Sequence, residues 1–417
     1  MDYKFLPLVD PEVLDLVKKE EARQKAGLEL IASENYTSPA VLEAMASVLQ
    51  NKYSEGYPGK RYYAGNEVVD SVETLAIERA KKLFGANFVN VQALSGSPAN
   101  LAVYFALVQP GDTILGLKLD HGGHLSHGHP VNFTGKTYNF VQYGVNPETG
   151  LVEMDEVEAL AREHKPKMIV AGFSAYSRDF DWSRFKQIAD EVSALTFADI
   201  AHVAGLVAGK AIAGPIEAGF DVVTTTTHKT LRGPRGALIF SKDEEIAKKI
   251  NRSVFPGLQG GPHEHVIAAI AVALGEALKP EFAEYAKQVI ANAQALAAKL
   301  IEKEFKIISD GTDNHLMVVD LQNKKVGGKE FTDALDKAGI SASASTIPDD
   351  PNPPMKPSGI RFGTAAITTR GMQETEMEKV ADFIDRAAQN FENLEELEKI
   401  RKEVETLAND FPVPGIN

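Results

Sequence analysis

The stretch 221–236, DVVTTTTHKTLRGPRG, says more about fold and chemistry than any other part of this sequence. Residues 222–227 are all β-branched and favour an extended backbone, and the turn-forming pair Gly233-Pro234 follows closely. Lys229 therefore lies at the carboxyl end of a predicted strand. Ligands bind at this end of the strands in open α/β sheets, and partial desolvation lowers the pKa of a lysine until its amine can form an imine. On this stretch alone, an exposed lysine after an edge strand remains the alternative.

The composition is that of an ordinary globular protein. The 417 residues are 44% apolar and 24% charged, a length that suits two domains or one large domain with a smaller one. Lys and Arg number 44 and Asp and Glu 58, which gives a net charge of −14. This charge opposes binding to nucleic acid or to an anionic membrane, so we expect neither as a partner. The chain has no cysteine, which excludes disulfides and thiolate metal sites.

Two features predict a cytoplasmic location. The amino-terminal stretch MDYKFLPLVDPE carries an early acid and no apolar core of signal-peptide length. The longest apolar run, 266–274, is far too short to cross a bilayer. We therefore expect neither a secretory signal nor a membrane-spanning segment.

Strand and helix patterns alternate along the first two-thirds of the chain. Five segments are typical of strands: 88–92, 113–117, 167–173, 195–199 and 222–227. Strands separated by helices favour a mainly parallel sheet covered on both faces. The composition changes at Lys279-Pro280, where a second unit of helices and strands begins. The stretch 51–66 has too much Gly, Pro and Tyr for a regular element, and we interpret it as a long ordered loop.

Asp199 and Lys229 form a pair with chemical meaning. Asp199 ends one predicted strand and His202 follows it, so both are expected at the same sheet edge as Lys229. Pyridoxal phosphate requires an amine that forms an imine and an anion that keeps the pyridine nitrogen protonated, and this pair supplies both. A helix cap or a structural hydrogen-bond acceptor is the alternative for Asp199.

Two further motifs suit anions. The turn Ser95-Gly96-Ser97 lies between a predicted strand and a predicted helix, where exposed amides and the helix dipole favour a phosphate. Arg361 lies in a strand-like run, where a guanidinium favours a bidentate partner such as an amino-acid carboxylate. Gly-Ser turns are common, and a structural salt bridge would explain Arg361 equally well.

The stretch 121–129, HGGHLSHGH, holds four of the ten histidines. A metal site is one interpretation. Because there is no cysteine, and because glycines replace helical spacing, we favour an imidazole stacked on a flat ring and predict no metal.

Together these residues resemble the serine hydroxymethyltransferase family. The resemblance rests on LIASEN, GYPGKRYY, HGGHLSHG, ADIAHVAGLVA, VVTTTTHKTLRGPRG, VFPGLQGGP and SGIRFGTAAITTRG, in this order along nearly the whole chain. It implies an α/β fold of the fold-type I pyridoxal-phosphate enzymes. The large domain would have a mainly parallel seven-stranded sheet between helices, and the carboxyl-terminal α/β domain would be smaller. The expected limits are an arm at 1–30, the large domain at 31–278 and the small domain at 279–417.

The resemblance also assigns roles to residues. Lys229 would bind pyridoxal 5'-phosphate covalently, with His228 beside it shaping specificity and Asp199 on the pyridinium nitrogen. The remaining cofactor-binding residues would be Ser95, Gly96, Ser97, His124, Ser174, His202, Tyr53 and Gly261, the last from the partner subunit. Catalysis would further use Glu55 and Tyr63. Substrate-binding residues would be Ser33, Arg361, Tyr63, Leu119, Gly123 and Leu125.

The activity implied is the reversible conversion of L-serine and tetrahydrofolate to glycine and 5,10-methylenetetrahydrofolate, in a homodimer with shared active sites. Tyr53, Glu55 and Tyr63 would reach the active site of the other subunit. The chain departs from the family pattern near the turn that would bind phosphate, at Ala93, Leu94 and Pro98. It departs on the pterin side at Asp120, at 343–345 and at 353–355. A folate-independent aldolase acting on 3-hydroxy amino acids is therefore the alternative activity, and a catalytically silent binding protein is a more distant one.

Overall fold

A computed structural model of the chain describes residues 3–416, which fold as two compact units. The central unit is Ala40–Lys287, and the terminal unit combines residues 3–39 with residues 288–416. The first residues of the chain belong with the last ones in the terminal unit, where a strand near the amino terminus pairs with the strand Ile340–Ser341. The domain limits expected from the sequence stay a prediction.

The regular elements alternate through most of the chain. The helices are α1 (Leu6–Val9), α2 (Pro11–Ala26), α3 (Pro39–Met45), α4 (Glu67–Phe84), α5 (Gly96–Leu107), α6 (Phe133–Thr137), α7 (Met154–His164), α8 (Trp182–Glu191), α9 (Ala204–Ala208), α10 (Glu244–Arg252), α11 (Glu264–Ala277), α12 (Pro280–Glu302), α13 (Gly328–Lys337), α14 (Ala365–Thr369), α15 (Glu374–Gln389) and α16 (Leu394–Asp410). The strands are β1 (Leu28–Glu29), β2 (Gly56–Tyr57), β3 (Lys60–Arg61), β4 (Phe88–Asn90), β5 (Thr113–Leu117), β6 (Asn139–Tyr143), β7 (Met168–Gly172), β8 (Leu195–Asp199), β9 (Val222–Thr226), β10 (Ala237–Ser241), β11 (Lys306–Ile307), β12 (Leu316–Asp320), β13 (Ile340–Ser341), β14 (Ser343–Ser345) and β15 (Gly359–Gly363).

The central unit is built on one seven-stranded sheet of order β4-β10-β9-β8-β7-β5-β6. Its pairs are parallel from β9 through β6, and β10 runs antiparallel to both of its neighbours. The expected α/β class with a mainly parallel seven-stranded sheet is therefore confirmed. β7, β9 and β10 are buried along their whole length, as strands with helices on both faces must be.

The patterns in the sequence identified five of these seven strands. The patterns did not predict β6 or β10. β6 is half-polar and lies at the edge of the sheet, and β10 follows β9 with only a glycine-rich turn between them. The predicted loop at 51–66 is mostly irregular, and it contains the short hairpin of β2 and β3. The charged helical stretch 374–409 is two helices, α15 and α16.

The terminal unit has a four-stranded antiparallel sheet of order β11-β12-β15-β14. β1 pairs in parallel with β13, which ties the amino-terminal segment to this unit. A single hydrophobic core joins β12 and β15 to one face each of α12, α13, α15 and α16. Within residues 3–416, no helix is both long and apolar enough to cross a membrane.

Arg370 fastens the ends of two helices in the terminal unit. It is 5% exposed, and its guanidinium donates to the carbonyl oxygens of Gly27 at 2.7 Å and Lys25 at 3.1 Å, at the end of α2. It also donates to Ala408 and Phe411 at 2.6 Å each, at the end of α16. The last carbonyls of a helix lack partners within the helix and attract positive charge, so one planar guanidinium satisfies both ends.

We expect Arg370→Met to lower the free energy of unfolding by about 3 kcal/mol, because it leaves several buried carbonyl groups without donors. Arg370→Lys should lose less, since it keeps the charge but not the planar fork. Urea denaturation followed by circular dichroism measures the difference. Arg401→Met, on the exposed side of α16, is the control and should change stability by less than about 0.5 kcal/mol. Equal stability of the two methionine variants would contradict this role for Arg370.

Candidate active site

Asp199 is a buried carboxylate at the carboxyl end of β8. Its Oδ2 accepts hydrogen bonds from Asn100 Nδ2 at 2.7 Å and from His127 Nε2 at 3.2 Å, and its Oδ1 accepts one from the amide of Ala201 at 3.0 Å. Burial by itself opposes ionisation, but the hydrogen bond and charge of His127 outweigh it and hold the pKa of Asp199 well below its usual range. Asp199 is therefore an anion at neutral pH.

The hydrogen bonds of Asn100 extend this network to neighbouring segments. Asn100, on α5, accepts a hydrogen bond from Thr224 of β9 at 2.7 Å and donates one to Ser126 at 2.8 Å. The hydroxyl of Ser126 lies 2.7 Å from His124 Nδ1. The end of β8, the middle of β9, the first half of α5 and the loop after β5 thus meet around one carboxylate.

The two histidines of this loop have different environments. His127 is buried against Asp199, whereas His124 is half-buried, and the two rings are 5.6 Å apart with their planes at 62°. Burial and the nearby charge of His127 lower the pKa of His124 to about 4, so its ring is neutral at pH 7. His124, His127 and Asp199 bring one ligand atom each within 4.8 Å of one another, a spacing that a metal ion could also use. His127 and Asp199 are already hydrogen-bonded to each other.

Lys229 lies three residues beyond the end of β9, in a tight turn, and is half-buried. Its carbonyl accepts from the amide of Arg232 at 3.0 Å, and Gly233 N donates to Thr227 O at 2.6 Å. These bonds turn the chain back so that β10 can pair with β9. The predicted strand followed by the 233–234 turn is present, and it presents Lys229 at the carboxyl edge of the sheet.

Thr230 clamps the lysine turn to the segment that follows Asp199. Its hydroxyl donates to the carbonyl of His202 at 2.9 Å and accepts from the amide of Gly205 at 2.9 Å. A Cβ atom at position 205 would lie 2.2 Å from the carbonyl oxygen of Thr230, so only glycine allows this approach. Thr230 itself is fully buried. The turns after β8 and β9 therefore hold a fixed position relative to each other.

His228, next to the lysine, is kept neutral. Burial, followed by the positive charges of Arg235 and Lys229, lowers the pKa of His228 to about 3. Among the described residues, the buried Nδ1 of His228 has no hydrogen-bond partner. At neutral pH His228 therefore adds no positive charge beside Lys229 and Arg235.

The turn 95–97 opens α5 and offers backbone donors. Ser95 is the N-cap in extended conformation, and the first hydrogen bond inside the helix runs from Ala99 N to Ser95 O at 3.0 Å. The amides of Gly96 and Ser97 precede that bond, in the part of a helix where N–H groups have no partner within the helix. The proline at 98 removes one amide and leaves these two. This arrangement suits a phosphate.

The remaining predicted residues of this region lie on two loops. Ser174 follows β7, and its amide donates to Gly122 O at 2.7 Å. Gly123 N donates to Lys118 O at 2.8 Å in the loop after β5. Leu119 in the same loop is half-buried, while Leu125 is 42% exposed and presents apolar surface.

A separate group forms around the hairpin of β2 and β3. Tyr53 donates to Glu55 Oε1 at 3.3 Å, and its ring meets that of Tyr63 edge to face at 5.2 Å. A Cβ atom at Gly261 would lie 3.4 Å from the Tyr53 ring, so these residues pack together. Both tyrosines are about half exposed. Tyr53, Glu55, Tyr63 and Gly261 therefore form one surface of the central unit.

Ser33 and Arg361 belong to the terminal unit. Arg361 is in the middle of β15, opposite Val318 on one side and Ser343 on the other. Burial of its guanidinium lowers the pKa of Arg361 to about 10, and it stays charged at neutral pH. The segment of Ser33 packs on the same strand, because Gly363 N donates to Leu30 O at 2.8 Å.

The network residues that the sequence did not identify include Asn100, His127 and Thr230. Polar residues inside an apolar helix or immediately after a lysine carry no periodic signal. His127 had a signal, since it belongs to the histidine-rich stretch, but nothing in that stretch distinguishes the ring that faces Asp199 from the others.

The donor set fits pyridoxal phosphate. The cofactor has a pyridinium nitrogen, an aldehyde and a phosphate, and the central unit offers a buried anion, a lysine amine and a helix start with exposed amides, all at the carboxyl edge of one sheet. The uncharged His124 ring is suited to lie against a flat aromatic ring.

Comparisons with known proteins agree with this chemistry. The family model described as serine hydroxymethyltransferase matches residues 6–384. A serine hydroxymethyltransferase of Deinococcus deserti is 56% identical over 405 residues, which cover 97% of this chain and 98% of the relative. One of Alkalilimnicola ehrlichii is 55% identical over 405 residues, covering 97% of this chain and 96% of the relative. On this similarity, which spans almost the entire sequence, the chain belongs to the serine hydroxymethyltransferase family.

Proposed function

We propose that this chain catalyses the reversible transfer of the hydroxymethyl group of L-serine to tetrahydrofolate, which yields glycine, 5,10-methylenetetrahydrofolate and water, with pyridoxal 5'-phosphate as cofactor. Family membership supports the reaction. The structural observation that supports this reaction is that Asp199 is a buried anion, and that the turn after it is fastened to the turn of Lys229. An amine and an anion fixed at one sheet edge are what this cofactor needs.

In this proposal the central unit holds the cofactor. Lys229 would bind it covalently, Asp199 would pair with the ring nitrogen, and His124 would lie against the ring. The amides of 95–97 and the hydroxyls of Ser95 and Ser97 would hold the phosphate together with Gly261 and Tyr53 of the partner subunit, while Ser174 and His202 would lie near the ring hydroxyl. When bound, the cofactor supplies an electron sink for the bond that breaks at the α-carbon of the amino acid.

Residues of the chain then bind the substrate and move its protons. Arg361 and Ser33 bind the serine carboxylate, and the charged guanidinium of Arg361 suits a bidentate carboxylate. Glu55 transfers the proton of the serine hydroxyl, and Tyr63 is its neighbour through Tyr53. His228 is uncharged above about pH 4 and therefore adds no positive charge beside the amine of Lys229.

The folate would lie along Leu119, Gly123 and Leu125. The exposed apolar side chain of Leu125 supports this, since a pterin is flat and largely apolar on its faces. Asp120 and the segments 343–345 and 353–355, which depart from the family pattern, would alter how the carrier is bound. They leave the amino-acid chemistry of the central unit untouched.

A homodimer with shared active sites completes the proposal. Tyr53 and Tyr63 are 56% and 49% exposed and pack together with Glu55 and Gly261 on one surface. Exposed aromatic groups of this kind favour a protein interface. The cytoplasmic location expected from the sequence stays a prediction.

We expect Lys229→Ala to lose the visible absorbance of the cofactor-bound enzyme, because no other amine replaces the imine link. Serine cleavage should fall by several orders of magnitude. Absorbance spectroscopy after reconstitution measures the first effect and a glycine assay the second. Lys210→Ala, an exposed lysine of the central unit, is the control and should retain both signals. A Lys229→Ala variant that keeps the band and full activity would refute the assignment.

Asp199→Asn removes the buried charge but keeps the shape of the side chain. We expect kcat for serine cleavage to fall by more than about 100-fold, as for the loss of one electrostatic group in an active site, while the cofactor still binds. Steady-state kinetics and cofactor fluorescence separate the two effects. Asp155→Asn, exposed at the start of α7, serves as the control. An unchanged kcat would mean that Asp199 is only structural.

Tetrahydrofolate should accelerate serine cleavage strongly. Fully oxidised folate is the matched control, because its N5 carries no hydrogen and cannot form the methylene bridge. Visible spectra with glycine, and then with glycine plus tetrahydrofolate, should show a new long-wavelength band that grows with the second ligand. If saturating tetrahydrofolate gives no acceleration, the activity is that of an aldolase instead.

A further inference from the structure

Arg61, in the hairpin of β2 and β3, is a buried arginine shared by three carboxylates. Its Nε donates to Asp70 at 2.8 Å and its Nη2 to Glu73 at 2.7 Å, while Glu264 of α11 lies 3.9 Å from Nη2. The side chains of Arg61, Glu73 and Glu264 are 4%, 1% and 0% exposed. Asp70 is 26% exposed and reaches solvent, so the fully buried part of the group has one positive charge and two acids. These charges balance only if one of the two buried acids carries a proton.

The same arginine fixes the backbone that carries Tyr53 and Glu55. Its Nη1 donates to the carbonyl oxygens of Ser54 at 2.7 Å and Gly56 at 3.0 Å. Gly56 adopts a φ of +98°, and a Cβ atom there would lie 2.3 Å from Lys60 O, so this tight hairpin requires glycine. The position of Glu55 between two anchored residues therefore depends on the arginine and its partners.

Glu264 joins this group through a single hydrogen bond. Ser54 Oγ donates to Glu264 Oε1 at 2.6 Å. Among the residues described, the buried Oε2 of Glu264 has no hydrogen-bond partner. By contrast, Glu73 bonds both Arg61 and Gln92, and Asp70 also accepts from Gly59 N at 2.8 Å. Glu264 is thus the least compensated of the three carboxylates.

We propose that Glu264 is a positioning residue that carries a proton while the segment 53–61 is closed, and that loss of this proton loosens the segment. We call this dependence of the segment 53–61 on the proton of Glu264 a proton latch. Its consequence for catalysis rests on the proposed role of Glu55, whereas the latch itself does not. The charged groups that face Glu264 are Arg61, Asp70 and Glu73. Its neighbours in the sequence are His263, the N-cap of α11, and His265.

The direction of the pH effect follows from where Glu264 titrates. Burial is the largest cause that raises the pKa of Glu264, to about 7, and the charge of Glu73 adds to it. In an open segment the carboxyl group would titrate near its ordinary pKa of about 4.3. Between these values opening releases a proton, so the closed state loses stability as the pH rises, and above about pH 7 the loss is complete. Burial also raises the pKa of Glu73, so this residue too makes the closed state less stable as the pH rises.

Hydrogen exchange of the cofactor-bound enzyme tests the latch. Mass spectrometry of peptides that cover residues 51–66, from pH 5 to 8.5, gives rates that are divided by the intrinsic exchange rate at each pH. Protection should fall by up to about tenfold per pH unit between pH 5 and 7 and then level off. Glu264→Gln keeps an acceptor for Ser54 but cannot ionise. The slope of the logarithm of protection against pH, which counts the protons released on opening, should therefore decrease by about one.

Further variants separate a proton latch from simple packing. Glu264→Leu lacks the acceptor and should give low protection at every pH. Glu73→Gln removes a neighbouring negative charge and should move the remaining slope to lower pH. Glu276→Gln, on the same helix outside this group, should behave as the unmodified protein.

Two results would overturn the latch: protection of 51–66 that does not change between pH 5 and 7, or a Glu264→Gln variant that keeps the full slope. Neither measurement uses serine or folate. Failure of the latch is therefore distinct from failure of the proposed function, which the Lys229 and tetrahydrofolate experiments test separately.

Discussion

The central unit is organised by the cost of burying the charge of Asp199. A carboxylate withdrawn from water requires donors at short range, and each donor to Asp199 comes from a different segment: α5, the loop after β5 and the turn after β8. A shift of any one of these segments would remove a donor from the buried anion. The requirement to solvate one charge therefore fixes the geometry of the edge of the sheet where the chemistry is expected.

Burial and neighbouring groups decide which residues at this edge of the sheet are charged. Asp199 is held as an anion, while His124 and His228 are held neutral, each because burial disfavours the imidazolium and a nearby cation adds to the effect. The nearby cations that act on His228 are Arg235 and Lys229, and His127 acts in the same way on His124. A site with one buried anion and separated cations can orient a ligand that carries a cationic ring at one end and a phosphate at the other.

Outside that edge, two buried arginines also hold separate segments together through hydrogen bonds. Arg370 gathers the carbonyl ends of α2 and α16, and Arg61 gathers the backbone of a hairpin together with two carboxylates. In both cases the planar fork connects irregular backbone to regular elements, which a lysine cannot do with the same geometry. The difference is electrostatic. Arg370 faces neutral carbonyl dipoles, whereas Arg61 faces more negative charge than it can balance, and this makes its surroundings sensitive to protons.

The sequence by itself determined the strands rich in β-branched residues, the lysine at the end of β9, the aspartate at the end of β8 and the helix start at 95–97. Each of these depends on local propensity or on turn residues close in the chain. The motifs that occur in the order of the family also predicted the seven-stranded sheet and the family itself. Only the tertiary structure decided that His127 faces Asp199, that Asn100 connects α5 with β8 and β9, that Thr230 clamps two turns, and that Glu264 shares Arg61 with Asp70 and Glu73. These contacts join residues that are far apart in sequence, and their energies depend on burial and on charge partners, which exist only after the chain has folded.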